Sequence, residues 1–304
     1  MCVDSVRGLL DMVSYPAIGY RWRSRYWAAI RTDLRGKVCV VTGGSEGIGY
    51  GIAEGLAATG ATVVIVCLDP HVGEAACGAL GAHLEVGDLS SMEAVRNVAA
   101  RIGARFGRVD VLVNNVGCVF RTRRQSADGV ELTFATNVLS GFAMTRALRP
   151  WLLAAVPARV VHVGSSAQYL CRVDMVELLG QGRCYSADAA YGRSKRAVEE
   201  LSLRWAEQLG PQGITSNCMH PGLTLTPGVA RTYPLYRRVM GPWLRTRAEG
   251  ADTAVWLGAS QAAARENAGF WFDRRRQPEH LFSWTRATRG EVDRLWSECE
   301  RLSS

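Results

Sequence analysis

The chain has 304 residues, 48% of them hydrophobic and 21% charged, with 36 basic against 28 acidic side chains for a net charge of +8. This balance excludes disordered and fibrous classes and leaves enough chain to bury a sizeable α/β core. No apolar run approaches the roughly 18 residues of a membrane-spanning helix, so no such span is expected.

Residues 1–36 differ in texture from the rest. They carry Arg7, Arg21, Arg23, Arg25, Arg31 and Arg35 against Asp4, Asp11 and Asp33, interleaved with Tyr15, Tyr20, Trp22, Tyr26 and Trp27. This basic, aromatic appendage reads as a peripheral membrane or partner-docking element, because arginines suit lipid phosphate and aromatics suit headgroup depth. An arm packed on the catalytic domain stays open as the alternative, and so does a mitochondrial transit peptide, although Asp4 and Asp11 are unusual for one.

From Lys37 the chain alternates short β-branched runs with Ala/Leu/Glu/Arg-rich stretches. The runs Val38–Val41, Thr62–Val66, His83–Val86, Val109–Val113, Arg159–Val163 and Ile214–Cys218 predict strands buried on both faces. Ile48–Ala58, Ser91–Arg105, Glu131–Leu153 and Ala189–Leu209 predict the helices between them. This rhythm predicts a single α/β domain over 37–304, a Rossmann-type doubly wound parallel sheet with helices on both faces. The nine cysteines are scattered, odd in number and without a C-x-x-C pair. They read as reduced thiols of an intracellular protein, cytoplasmic or peripherally membrane-associated.

The first strand runs into Thr42-Gly43-Gly44-Ser45-Glu46-Gly47-Ile48-Gly49 and then a helix. Glycines permit a tight turn and close approach to a pyrophosphate, and the helix start offers free N–H groups. Gly87-Asp88-Leu89 and Asn114-Asn115-Val116-Gly117 follow at the carboxyl ends of the third and fourth strands, where open α/β sheets bind ligands. The fifth strand closes on Gly164-Ser165-Ser166, and Tyr191-Gly192-Arg193-Ser194-Lys195 opens a helix with Tyr191 and Lys195 on one face. A cation one turn away favours a phenolate, which is otherwise scarce near neutral pH. Only Lys37 and Lys195 of the 36 basic residues are lysine, so a lysine at the position that needs one favours function. His162 reads as a packed histidine and His220 as structural or cofactor-adjacent. No cluster has metal-ligand spacing, so no metal is expected. The arginine runs at 121–124 and 274–276 read as solvated surface, with no nucleic-acid partner.

Taken in order, Thr-Gly-x-x-x-Gly-x-Gly, Asn-Asn-x-Gly, Ser-Ser, Tyr-x-x-x-Lys and the Pro221-Gly222 with Thr226 that follow the sixth strand resemble the short-chain dehydrogenase/reductase family. The gap from Ser166 to Tyr191 is similar to its retinol-dehydrogenase-like branch. A further likeness to one member of that branch runs through Ser216–Gly222, Thr226–Val229, Gly250–Thr253 and Phe272–Arg274. The resemblance implies a nicotinamide cofactor and an alcohol–carbonyl interconversion. It assigns Tyr191 to proton transfer, Lys195 to the cofactor ribose, Ser166 to the substrate carbonyl and Asn137 to a relay water. Cofactor contacts are expected from Thr42, Gly43, Ser45, Glu46, Gly47, Ile48, Gly49, Leu68, Asp69, Asp88, Leu89, Asn115 and Gly117, together with Tyr191, Lys195, Pro221, Gly222 and Thr226. Val116 stands where the family usually has alanine, and Leu68 where relatives have arginine.

NAD is favoured over NADP, because Leu68 offers no cation and Glu46 and Asp69 oppose a 2′-phosphate. Substrate contacts are expected from Thr224–Trp243, within a lid region at 224–260. The apolar character of that segment suggests a small lipophilic alcohol or carbonyl, such as a retinoid, steroid or fatty aldehyde. A catalytically quiet nucleotide-binding scaffold is the competing reading. Asn137, Ser166, Tyr191 and Lys195 together speak against it. Assembly into a homo-oligomer stays open.

Overall fold

The computed structural model describes residues 15–304, so the part of the appendage at residues 1–14, with the transit-peptide reading that depends on it, lies outside the described residues. Eight strands form one sheet in the order β3-β2-β1-β4-β5-β6-β7-β8. The six expected strands are β1 (Val38–Thr42), β2 (Thr62–Cys67), β3 (His83–Val86), β4 (Val111–Asn114), β5 (Ala158–Val163) and β6 (Ile214–Met219), each within two residues of its expected start. They pair in parallel, and so does β7 (Phe270–Phe272) beside β6, while β8 (Arg275–Gln277) turns back antiparallel. Because the order reverses between β1 and β4, the crevice expected of a doubly wound sheet opens above these two strands.

Alternation along β1 separates two cores. Val38 and Val40 enter the cluster built by Val95, Ile102, Phe142 and Leu201, whereas Cys39 and Val41 enter the one built by Ile52, Leu56, Ala254 and Val255. Each buried aliphatic side chain contributes about 1.5–3 kcal/mol, so these two layers dominate the stability of the fold. The helices are α2 (Gly47–Ala57), α3 (Pro70–Leu80), α4 (Met92–Phe106), α5 (Ser140–Leu153) and α6 (Ala187–Leu209). Beyond β6 follow α7 (Pro227–Thr232), α8 (Pro234–Met240) and α9 (Arg247–Ala259), and α10 (Arg289–Leu302) closes the chain. The expected helix at Glu131–Leu153 is interrupted: a turn at Leu132–Phe134 widens into a π-turn at Ala135–Leu139 before α5 begins. Such turns disturb the carbonyl ladder and cluster at functional sites.

The region expected to be a lid, 224–260, divides in two. α7 and α8 lie on the surface, but α9 buries Ala251, Ala254, Val255 and Leu257 and belongs to the second core. The surface part of this region therefore ends at the 3-10 turn Gly241–Trp243, after which Leu244 and Arg245 are buried.

Residues 15–36 lie against the domain. α1 (Ala17–Arg23) buries Ala17 and Arg23. Arg23 donates to Asp273 Oδ2 at 3.1 Å, and Arg245 grips both oxygens of the same carboxylate, Oδ1 at 2.6 Å and Oδ2 at 2.9 Å. Tyr15 packs edge-on against His220 and Phe272. Arg274, expected on a solvated surface, instead pairs with Asp252 at 2.7 Å, donates to the Ala28 carbonyl and lies over the Trp27 ring.

Candidate active site

Three loops at the carboxyl edge of the sheet are braced from within. The Thr42 hydroxyl accepts from the backbone N–H groups of Asn115 (3.0 Å) and Val116 (3.3 Å), and the Asn115 amide donates to the carbonyls of Thr42 (2.9 Å) and Gly43 (3.1 Å). Asn115 thus shapes the glycine-rich turn with its side chain. Gly43 and Gly47 take φ of 64° and 55°. A Cβ at Gly49 would fall 2.0 Å from the Gly43 carbonyl oxygen, so only glycine lets α2 start this close to the turn. That cradle fits a pyrophosphate against the N-terminus of α2. Ile48, which follows it in α2, packs against the second core.

The ends of β2 and β3 depart from expectation. Leu68 is 67% exposed. Asp69 caps α3, accepting from the N–H groups of His71 (2.9 Å) and Val72 (3.2 Å). Its carboxylate is therefore engaged in holding a helix. Glu46 pairs at 3.1 Å with Arg231 of α7, and the Ser45 hydroxyl lies against the Cys67 thiol. Asp88 accepts from the Ser90 N–H at 2.9 Å. The Leu89 side chain is buried in the first core, which leaves its backbone alone to meet a ligand.

Asn137 sits in the π-turn with its side chain fully used. It accepts from the Cys118 N–H at 2.8 Å and donates to the Cys118 carbonyl (3.0 Å) and the Ser194 hydroxyl (2.9 Å). It thereby ties the loop after β4 to α6. Lys195 is buried and donates to the Val163 carbonyl at 2.7 Å, with its ammonium 5.8 Å from the centre of the Tyr191 ring. A Cβ at Gly117 would come within 2.9 Å of that ammonium, so the glycine after β4 makes room for it.

Electrostatics differ from the sequence expectation in one respect. Burial pushes the Tyr191 phenol up, partly offset by a hydrogen bond from the Ser165 hydroxyl and reinforced by the Cys118 thiol. Burial brings Lys195 down to about 8, with Cys218 and Cys118 opposing. Desolvation outweighs the Ser165 hydrogen bond, so burial keeps Tyr191 protonated at neutral pH, as a proton donor requires.

The serine at Tyr191 is Ser165, one residue before the expected Ser166. Ser165 is extended (φ −160°, ψ 147°), whereas Ser166 opens the 3-10 turn Ser166–Leu170. The backbone changes direction between the two residues, and the Ser165 hydroxyl is the one that meets the Tyr191 phenol. The resemblance assigned the carbonyl to Ser166, whereas the hydroxyl beside the Tyr191 phenol here is that of Ser165.

His162 is buried beside Asn114, and burial, with Lys195 second, holds it down at about 3. It stays neutral and packed. His220 stacks on Phe272 at 4.2 Å between ring centres and is likewise neutral, through burial first and then Arg245 and Arg23. Gly222, at φ 70°, lies against Arg245 and the Tyr15 carbonyl. Thr226 lies against Gly47. Pro221, just before this turn, offers its carbonyl to the Thr224 hydroxyl at 3.0 Å. Arg121, expected to be solvated, donates to the Thr232 carbonyl and lies over the Tyr233 ring, while Tyr233 donates to Asp188. These contacts and Glu46–Arg231 fold α7 over the crevice. Among the described residues no group of His, Cys, Asp or Glu could hold a metal, and no helix is long and apolar enough to cross a membrane.

The short chain dehydrogenase family model matches residues 37–234. Dehydrogenase/reductase SDR family member 12 of Bos taurus is 31% identical over 95% of this chain and 94% of its own. Retinol dehydrogenase 12 of Mus musculus is 31% identical over 89% of this chain and 87% of its own. Among solved structures, the Pseudomonas aeruginosa RhlG/NADP active-site complex superposes with a TM-score of 0.66 at 29% identity, covering 80% of this chain and 96% of that one. With a braced glycine turn, a Tyr191–Lys195 pair on α6 and this family match, the chain belongs to the short-chain dehydrogenase/reductase family and is a nicotinamide-dependent oxidoreductase.

Proposed function

We propose that the chain reduces a carbonyl, or oxidises the matching alcohol, on a lipophilic substrate held under the lid, with NAD as the favoured cofactor. The contact of the Ser165 hydroxyl with the Tyr191 phenol beside buried Lys195 carries this reading. Gly43, Ser45, Gly47 and Gly49 would hold the pyrophosphate, Asp88 and the Leu89 backbone the adenine end, and Tyr191, Lys195 and Thr226 the nicotinamide end. The cofactor supplies a hydride at the nicotinamide ring. Ser165 holds the carbonyl oxygen as negative charge develops on it, and Tyr191 gives that oxygen its proton. Lys195 orients the ribose and charges the pocket behind the phenol. The side chain of Asn137 is spent on bracing, so its backbone carbonyl in the π-turn is the group left for a relay water.

Support for a lipophilic substrate comes from the apolar character of Thr224–Trp243 and from the retinol dehydrogenase likeness. Support for NAD comes from exposed Leu68 at the end of β2, where a 2′-phosphate needs a cation. The test follows loss of reduced-cofactor absorbance over a panel of carbonyls. Retinoid, steroid and fatty aldehydes should exceed small polar ketones by at least about tenfold in kcat/KM, about 1.4 kcal/mol. The reverse order refutes the substrate class. Fluorescence titration with NADH and NADPH tests the cofactor, and NADPH binding about tenfold tighter reverses that assignment.

A further inference from the structure

We propose that the lid and α1 together form a docking face for an anionic lipid bilayer, set at the mouth of the active site. On α1 and the turn that follows it, Ile18, Trp22 and Tyr26 recur every four residues and stand 73%, 60% and 78% exposed. Leu235, Val239 and Trp243 repeat the same spacing on α8 and the turn after it, at 73%, 57% and 54%. Four-residue spacing puts each trio on one helical face, and both faces look into solvent. Among the described residues no other exposed large apolar side chains recur at this spacing, and each of the two stripes contains a tryptophan.

Charge identifies the occupant. Residues 15–32 and 227–248 contain nine arginines and no aspartate or glutamate. Arg23 and Arg245 are buried on Asp273, and Arg21, Arg231 and Arg247 reach carboxylates outside the two segments. Arg25, Arg31 and Arg238 stand exposed. Arg25 lies three residues from Trp22, and Arg238 three from Leu235, so cations flank both stripes. Aromatic and aliphatic side chains bounded by arginine match the acyl–headgroup boundary of a negatively charged membrane.

The stripes belong to segments that meet at one place. Arg245, two residues beyond Trp243, donates to the Tyr15 carbonyl at 2.8 Å and lies 5.3 Å over the Tyr20 ring. The Leu223 N–H also donates to the Tyr15 carbonyl, and Arg21 reaches Glu249 at 2.8 Å. α1 is thus pinned at the base of the lid. A lipid-soluble carbonyl could pass from the bilayer under α7 and α8 without crossing water, and this last step rests on the proposed substrate class.

The test is sedimentation of the full chain with vesicles of phosphatidylcholine alone or mixed with phosphatidylglycerol. Wild-type protein should pellet with the mixed vesicles, and added salt should release part of it. Replacing both Trp22→Glu and Trp243→Glu should weaken partitioning at least tenfold, and Arg25→Gln with Arg238→Gln should weaken it mainly on the anionic vesicles. The melting temperature and the fluorescence titration with reduced cofactor should be unchanged in both variants, which separates loss of docking from loss of fold. Wild-type protein that stays in the supernatant, or a double glutamate variant that pellets equally, overturns the proposal. A wild-type dimer that the double glutamate variant dissolves also overturns it, since a second copy would then cover the stripes. Vesicle binding needs no turnover. Docking without activity on lipophilic carbonyls would break the proposed substrate class and leave the docking face standing.

Discussion

α1 and the lid both come to rest at the carboxyl edge of the sheet through an arginine and a carboxylate 3.1 Å apart. For Arg23 and Asp273 the side chains are 8% and 1% exposed; for Arg231 and Glu46 they are 69% and 40%. Distance alone would rate the two contacts equal. Burial makes the first a fixed part of the fold, because removing one partner strands a desolvated charge, whereas the second exchanges freely with water and salt. One segment is fastened and the other is latched. The lid proposed over the cofactor crevice would have to open, and its ion pair is of the kind that permits opening.

The largest effect should come from Tyr191 on α6. Tyr191→Phe should lower kcat by about 10²- to 10⁴-fold with reduced-cofactor binding nearly unchanged, because only the proton-bearing hydroxyl is lost. Ser165→Ala should show a large kcat loss too, and Ser166→Ala little. Steady-state kinetics on the three variants checks the assignment, and a reversed order of the two serines would return the role to Ser166.

Next, Asp273→Asn should cost about 3–5 kcal/mol of stability, because two buried arginines lose their shared carboxylate. Asparagine tolerates the positive φ of 50° at this position, so backbone strain does not confuse the result. Denaturant unfolding measures it, and a loss below 1 kcal/mol would erase the contrast between the segments.

A smaller effect is expected from pH. The folded value of Lys195, about 8, lies below its ordinary 10.5, so the unfolded chain binds this proton more tightly. Stability should therefore rise with pH between about 8 and 10.5, and the rise should be absent in Lys195→Met, which should itself melt higher than wild type at neutral pH. In the same window kcat/KM for reduction should fall as the ammonium is lost. Calorimetry and a pH–rate profile read the two signs independently. The smallest effect belongs to the latch: Glu46→Gln should change stability by less than about 1 kcal/mol. A more accessible lid should then appear as faster proteolysis within 227–243.

The glycine turn, the six parallel strands and the Tyr191–Lys195 pair were legible in the sequence because each is local. Periodicity, turn chemistry and i, i+4 spacing are properties of a few consecutive residues. What was not legible depends on distance along the chain. Arg23 meets Asp273 across 250 residues, and no pattern near either announces the other. Asp69 looked free to oppose a phosphate until α3, which was not expected from sequence, took its carboxylate as a cap. The charge runs misled for the same reason. Arg121 and Arg274 resembled solvated arginines until the lid and residues 27–28 arrived over them. Ser165 and Ser166 were ambiguous because type and neighbourhood are the same for both, and only the backbone angles separate them.

The position of Asp273 also sets an order of events during synthesis. A ribosome makes α1 long before β7, so Arg23 emerges 250 residues ahead of the carboxylate that neutralises it and Arg245 28 residues ahead. Until then a nascent chain shorter than 273 residues carries both arginines without the carboxylate they share. Closure of the first segment reports that the last strands of the parallel sheet have been delivered, and chains released early should be recognisable by a protease-sensitive amino terminus.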